Sequence, residues 1–236
     1  MHVVICGFSR SGTTLFYNML RSSVTNFRFF EQETGALWPR AVQQRDHDII
    51  TKRPLDVMQA EHILDETPDS RVIVNVRDPR SLLVSRHEDV PNDYFIDWDL
   101  QYFIPKQGEP RKRNPGIIPI YHQIKKIQHR VTILKYEGLV SSPDTVQDRL
   151  GTIFPFDYQS KFEDFHQNEI PPSLRNQLNG VRQVETTRIS AWKQHPQRIL
   201  QQFNEAPELF QVLEDFGYET DQGWFETLRA KTPAAR

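Results

Sequence analysis

Residues 3–20, VVICGFSRSGTTLFYNML, decide the fold. Val3, Val4, Ile5 and Cys6 form an unbroken apolar run, the pattern of a strand buried on both faces of a parallel sheet. Residues 7–14, GFSRSGTT, then give glycine, four residues, a second glycine and a hydroxyl residue. Leu15, Met19 and Leu20 follow at helical spacing. Strand, glycine loop and helix make an anion site, because backbone N–H groups and the helix N-terminus face one point. The triphosphate version of this loop reads G-x-x-x-x-G-K-[ST], and Thr13 stands here at the lysine position. The loop can still hold a phosphate through its backbone, with Arg10 and the hydroxyls of Ser11, Thr13 and Thr14 as added donors. Without the lysine that reaches the β- and γ-phosphates, ATP and GTP are poor ligands for it. The expected target is a phosphate lacking those neighbours.

Working outward, short apolar runs alternate with helical patterns. Strands are expected at 2–6, 27–30, 48–51, 71–76 and 131–134, and RVIVNV at 71–76 is the strongest. Helices are expected at 13–22, at 55–64 with Leu55, Met58, His62 and Ile63 on one face, and at 79–87 opened by Pro79. Further helices are expected at 120–129, at 142–150 with Ser142 as cap, and at 206–216 ending at Gly217. Residues 88–119 are rich in proline, aspartate and aromatics without a sustained period, as an irregular acceptor-side segment would be. The expectation is an α/β fold, a P-loop-type central parallel sheet flanked by helices with a helical C-terminal third. It is read as one domain over 1–236, with a flexible tail from about 226. Ligands of such sheets bind beyond the carboxyl ends of the strands. Functional residues should therefore follow Cys6, Phe30, Thr51, Val76 and Leu134.

Bulk composition narrows the function classes. The 236 residues carry a formal charge of −2 with both signs abundant, which gives no general pull toward nucleic acid. The one cysteine, Cys6, excludes an internal disulfide framework and a multi-cysteine zinc site, and reads as a small buried hydrophobe. The eight histidines show neither H-x-x-x-H nor H-E-x-x-H spacing, so no metal is expected. No charged leader with a signal-length apolar stretch opens the chain, and no window approaches the roughly 20 apolar residues that span a bilayer. A cytoplasmic protein with no membrane partner is the expectation.

RDPRSLLVS, residues 77–85, follows the strongest strand. The Arg77 guanidinium at the strand end would grip a second phosphate bidentately, with the Ser85 hydroxyl completing the grip about two helical turns on. Two anion sites after neighbouring strands imply a nucleotide with phosphates at two separate places. Together these segments resemble the sulfotransferase family, whose members use 3'-phosphoadenosine 5'-phosphosulfate. In that family P-[KR]-[ST]-G-T-T binds the 5'-phosphosulfate and R-[DN]-P-x-x-x-x-x-S the 3'-phosphate. The resemblance carries these roles to Ser9, Arg10, Ser11, Gly12, Thr13 and Thr14, and to Arg77 and Ser85. Ser9 replaces the usual proline. LKYEGLVSSP, residues 134–143, is similar to the family's strand-plus-YEDL segment, with Tyr136 matched and Gly138 in place of the acid. TTRISAWK, residues 186–193, resembles the late tryptophan-containing cofactor loop, which implies cofactor contacts for Trp192 and Lys193. The arginine-lysine-glycine triplet of the small-molecule enzymes is absent there.

The resemblance implies transfer of a sulfuryl group to a hydroxyl acceptor, with 3',5'-adenosine bisphosphate as product and no metal. Such a step needs cations at the bridging oxygen and a base for the acceptor hydroxyl. Arg10 and Lys52, the latter in IITKRP, offer the cations. The small-molecule enzymes place a histidine two residues after that lysine, where this chain has Pro54. A carboxylate of FFEQET must serve instead, Glu31 by ungapped spacing from the loop or Glu33 by the Glu-Thr pairing, with Glu31 narrowly preferred. The order R-S-G-T-T, a Glu-Thr stretch, K-x-P and then R-D-x-R resembles the protein-tyrosine and carbohydrate enzymes more than the small-molecule ones. The acceptor would lie against residues 94–103 and the later helical region, where Tyr94, Phe95, Trp98, Tyr102 and Phe103 either supply an apolar wall or close the core, and the basic run KQGEPRKR at 106–113 would meet an anionic acceptor or stay solvated. The rivals are a P-loop kinase of a nucleoside or metabolite, and a nucleotide-binding module without turnover.

Overall fold

A strand with no polar face has to lie inside its sheet, and β1 (His2–Gly7) does. The computed structural model describes residues 1–87, 89–90, 94–103, 113–167 and 186–232. After β1 come α1 (Thr13–Ser23), β2 (Arg28–Phe29), α2 (Pro39–Val42), β3 (Ile49–Lys52), α3 (Ala60–Glu66) and β4 (Ser70–Val76). Then follow α4 (Pro79–Leu83), β5 (Leu100–Tyr102), β6 (Arg113–Pro115), α5 (Ile117–Ile127), β7 (Thr132–Lys135), α6 (Tyr136–Ser141) and α7 (Pro143–Ile153). The helices α8 (Pro196–Glu205), α9 (Glu208–Asp215) and α10 (Gly223–Lys231) complete the described elements.

The chain divides into two compact units, Met1–Val76 with Ile124–Thr186, and Arg77–Gln123 with Thr187–Arg236. The first holds a five-stranded sheet in the order β2-β3-β1-β4-β7, every pair parallel. β1 lies between β3 on one side and β4 on the other, so successive crossovers leave it in opposite directions and open a crevice at its carboxyl end. That is where residues 7–14 begin. One face of the sheet gives Val3, Ile5, Ile50, Ile73 and Leu134 to a core closed by Phe16, Met19 and Leu20 of α1 and Leu150 of α7. Phe162 packs edge-on against Phe16, with ring centroids 6.3 Å apart. Cys6 is buried, as expected.

The second unit is mainly helical, with the antiparallel β5–β6 hairpin inside the segment expected to be irregular. That segment also starts α5. The N–H groups of Gly116, Ile117 and Ile118 donate to the carbonyls of Asp99, Asp97 and Trp98, which satisfies donors that a helix start leaves without partners. The helix α9 ends at Gly217, whose φ of 63° suits glycine; Tyr218 N–H reaches back to the Leu213 carbonyl at 2.8 Å.

Three local readings change. The helix expected at 55–64 begins as a 3₁₀ turn over Pro54–Gln59, so buried positions recur every third residue, Val57, Ala60 and Ile63, while His62 is exposed. The helix expected at 79–87 stops at Leu83, and the Ser85 carbonyl accepts from Phe95 N–H at 2.8 Å, so Ser85 is not on a helix. Residues 226–231, expected in the tail, belong to α10. Residues 106–112 of the basic run, 168–185 of the helical third and 233–236 lie outside the described residues. No helix among the described residues is long and apolar enough to cross a membrane.

Candidate functional site

In the first unit the loop after β1 is shaped by backbone. Gly7 has φ 129°, and a Cβ there would stand 2.1 Å from the Asn75 carbonyl oxygen of β4. Phe8 N–H donates to that same oxygen at 3.1 Å, which ties the loop's first residue to the neighbouring strand. Arg10 is left-handed with φ 68°, a conformation that costs a non-glycine residue on the order of 1 kcal/mol. Gly12 has φ 83°, and the Tyr136 ring fills the place of its Cβ, with Cδ2 at 2.6 Å from that point. The YEGL segment thus packs directly on the loop. Ser11, expected to offer its hydroxyl outward, donates it to the Phe8 carbonyl at 2.6 Å and is fully buried. Thr13 is buried, and Arg10 is exposed.

Three stretches meet around Lys52 at the carboxyl end of β3. Its Nζ donates to Thr14 Oγ1 at 3.1 Å and to Glu33 Oε2 at 2.8 Å. The lysine is 5 % exposed, whereas the Glu33 side chain is 46 % exposed. The structure therefore brings Glu33, not Glu31, to the strand-end lysine; Glu31 is exposed and stands outside this set.

Several contacts fasten the Glu33 segment, none of which the sequence singled out. Thr34 N–H donates to the Lys52 carbonyl at 3.2 Å, and Ala36 N–H to Asp56 Oδ2 at 2.7 Å. Arg53 pairs with Asp56 at 3.2 Å and stacks over Trp38 at 5.3 Å. Burial raises the Asp56 pKa from 3.8 to about 6, against the Ala36 hydrogen bond and the Arg53 charge. The only hint in the sequence was the i, i+3 spacing of Arg53 and Asp56. On the other side of Glu31, the Tyr17 hydroxyl accepts from Phe30 N–H at 2.6 Å and donates to its carbonyl at 2.9 Å. Burial pushes the Tyr17 pKa up to about 12, so the hydroxyl stays protonated to donate.

In the second unit, residues 77–81 hold the late loop. Arg77 Nη2 donates to the Arg188 carbonyl at 3.1 Å, and Ser81 Oγ to the Ile189 carbonyl at 2.8 Å. Asp78 caps α4 by accepting from Arg80 N–H at 2.9 Å and also holds the Arg80 guanidinium through both carboxylate oxygens. Glu219 takes the other side of that guanidinium at 2.5 Å. Burial opposes the Arg80 charge, yet the hydrogen bonds to Asp78 and Glu219 outweigh it and its pKa is raised. Trp192 is buried in the short 3₁₀ turn Ala191–Gln194, and Lys193 is exposed with Nζ 5.7 Å from the Trp192 ring. Arg77 and Ser85 both lie on the segment following β4, Ser85 beyond the end of α4.

The expected apolar wall is different in kind. Tyr94 lies between two guanidiniums, Arg86 at 4.9 Å and Arg198 at 4.7 Å, and Tyr102 carries Arg113 at 5.1 Å. The Tyr94 hydroxyl meets His195 Nδ1 at 3.2 Å. These rings face cations. Among the described residues no group of three or more His, Cys, Asp or Glu gathers to hold a metal ion.

No family model matches the sequence, and no curated protein matches it. Solved structures do. The chain is similar to the sulfotransferase domain from the curacin biosynthetic pathway at 16 % identity and a TM-score of 0.50, covering 81 % of this chain and 89 % of that one. It is also similar to the sulfotransferase domain from the Synechococcus PCC 7002 olefin synthase at 16 % identity and a TM-score of 0.49, covering 82 % of this chain and 86 % of that one. At this identity the likeness is one of fold, and it agrees with the parallel α/β sheet described above.

Proposed function

We propose that the chain is a sulfotransferase, moving a sulfuryl group from 3'-phosphoadenosine 5'-phosphosulfate to a hydroxyl acceptor on a sugar, a tyrosine or a small metabolite. One observation carries the reading. A loop hydroxyl, a strand-end lysine and a carboxylate, from three separate stretches, meet at Lys52 Nζ within 3.1 Å. A glycine loop without a triphosphate lysine, joined by a lysine from the next strand and an available carboxylate, suits transfer to an acceptor hydroxyl.

In this reading 9–14 take the 5'-phosphosulfate, with Tyr136 supporting Gly12, while Arg77 and Ser85 take the 3'-phosphate and Trp192 and Lys193 line the nucleotide. Glu33 removes the acceptor proton as the acceptor oxygen bonds sulfur and the bond from sulfur to the phosphate oxygen breaks. Lys52 and Arg10 hold the charge that collects on that departing oxygen. Glu33 is preferred over Glu31 because it already shares a proton-rich partner, Lys52, with the loop. The donor's sulfuryl group would compete for Lys52 and release the carboxylate to act as base.

The test is ligand stabilisation measured by thermal unfolding. The product 3',5'-adenosine bisphosphate should stabilise the protein by about 2.7 kcal/mol at a hundredfold excess over its Kd. Glu33→Gln should keep that stabilisation while transfer falls by about 10²–10⁴. Stabilisation by ATP with Mg²⁺ alone overturns the reading.

A further inference from the structure

Arg80 has no part in the transfer just described, yet the second unit is organised around it. It is 4 % exposed. Its guanidinium lies 4.3 Å from the Trp192 ring centroid and 4.5 Å from that of Trp224, two indoles set at 77° to each other. Its edge is filled by Asp78 at 2.7 Å and Glu219 at 2.5 Å. A guanidinium in contact with two indoles and paired with two carboxylates combines cation–π contact with forked hydrogen bonding, and a lysine supplies only the charge.

The consequence lies in what Trp192 belongs to. The segment 188–193 is joined to the turn 77–81 by Arg77 on the Arg188 carbonyl, Ser81 on the Ile189 carbonyl, and Arg80 on the Trp192 ring. The first two are single hydrogen bonds to backbone. The third engages a buried side chain and anchors the far end of the segment, next to Lys193. A segment held at only one end would have to be ordered each time a nucleotide bound, and that ordering would weaken binding.

We propose that Arg80 is the positioning residue that makes the nucleotide site selective for a 3'-phosphate. By holding Trp192 on the 77–81 turn, it presets Arg77 and Lys193 for a second phosphate before any ligand arrives. This rests on the sulfotransferase reading above, which places the 3'-phosphate at Arg77 and Ser85. The clamp holds the segment assigned to the 3'-phosphate, so a bisphosphate gains more from it than a 5'-phosphate alone.

The test compares 3',5'-adenosine bisphosphate with 5'-AMP by isothermal titration in the unaltered chain, Arg80→Lys and Trp224→Leu. The lysine variant keeps the charge between Asp78 and Glu219 and removes the fork and the stacking. The leucine variant opens one face of the clamp without altering a residue assigned to the nucleotide, and it decides the matter if Arg80→Lys does not fold. In each variant showing a cooperative thermal transition, the affinity ratio of the bisphosphate to 5'-AMP should fall by about tenfold, because the bisphosphate loses more affinity than 5'-AMP. A purely structural role would lower the melting temperature and leave the ratio intact, and an unchanged ratio in a folded variant overturns the proposal. Failure of the unaltered chain to prefer the bisphosphate overturns the sulfotransferase reading, and this inference with it.

Discussion

The loop at 7–14 and the turn at 77–81 each follow a strand of the same sheet, but different parts of the chain hold them in shape. The loop is a backbone object. Gly7 lets β1 and β4 come so close that a Cβ would meet a carbonyl at 2.1 Å, and Gly12 leaves room for the Tyr136 ring. Left-handed angles at Arg10 and Gly12 do the rest. The turn at 77–81 is a side-chain object, in which one guanidinium gathers two carboxylates and two indoles. Backbone construction tolerates many side chains but no change at its glycines. Side-chain construction concentrates its dependence on one residue and its partners.

The largest expected effect is at Gly7. Gly7→Ala places a methyl group against the Asn75 backbone at a φ that alanine rarely adopts, and should cost more than about 4 kcal/mol of unfolding free energy. Urea denaturation measures it. A loss near 1 kcal/mol would show that β1 and β4 can separate locally, and the loop would lose its claim to be fixed by backbone alone.

Asp56 behind the Glu33 segment gives an intermediate effect. Its pKa is raised from 3.8 to about 6, so the folded chain binds the extra proton between those pH values. The resulting stabilisation is present below about pH 4 and lost as pH rises through 6, on the order of 3 kcal/mol. His2 acts in the opposite sense: burial, aided by the Arg45 charge, lowers its pKa from 6.5 to about 4, so its contribution is present above 6.5 and lost toward 4. Asp56→Asn keeps an acceptor for Ala36 N–H and leaves His2 alone. Its stability should therefore rise more steeply from pH 4 to 6 than that of the unaltered chain. Parallel stability curves would remove the strained carboxylate from behind Glu33.

The smallest effect belongs to the side-chain-built unit. Gly217→Ala, at φ 63° just past the end of α9, should cost about 1 kcal/mol in a thermal or urea transition. A cost as large as that of Gly7→Ala would mean that this unit, too, depends on its backbone, and the contrast between the regions would disappear.

The parallel sheet, its buried central strand and the glycine loop with its following helix were legible because they depend on neighbours in sequence. A two-faced apolar strand, a glycine spacing and a helical period are local signals. The same locality explains the misses. The phase of 54–63 shifted because a 3₁₀ turn preceded the helix. Glu31 was preferred because spacing was counted along the chain, whereas the Thr34 hydrogen bond to the Lys52 carbonyl delivers Glu33. The apolar wall was drawn from ring content, and the guanidiniums stacked on Tyr94 and Tyr102 come from residues up to about a hundred positions away.

By itself, then, the sequence determined a parallel α/β sheet with a glycine loop after its first strand, since strand burial and glycine conformations follow from residue type and spacing. Only the tertiary structure decided which carboxylate meets Lys52 and what encloses Arg80. Both depend on side chains meeting across long stretches of chain, and hydrophobic pattern carries no record of which charged groups end in contact.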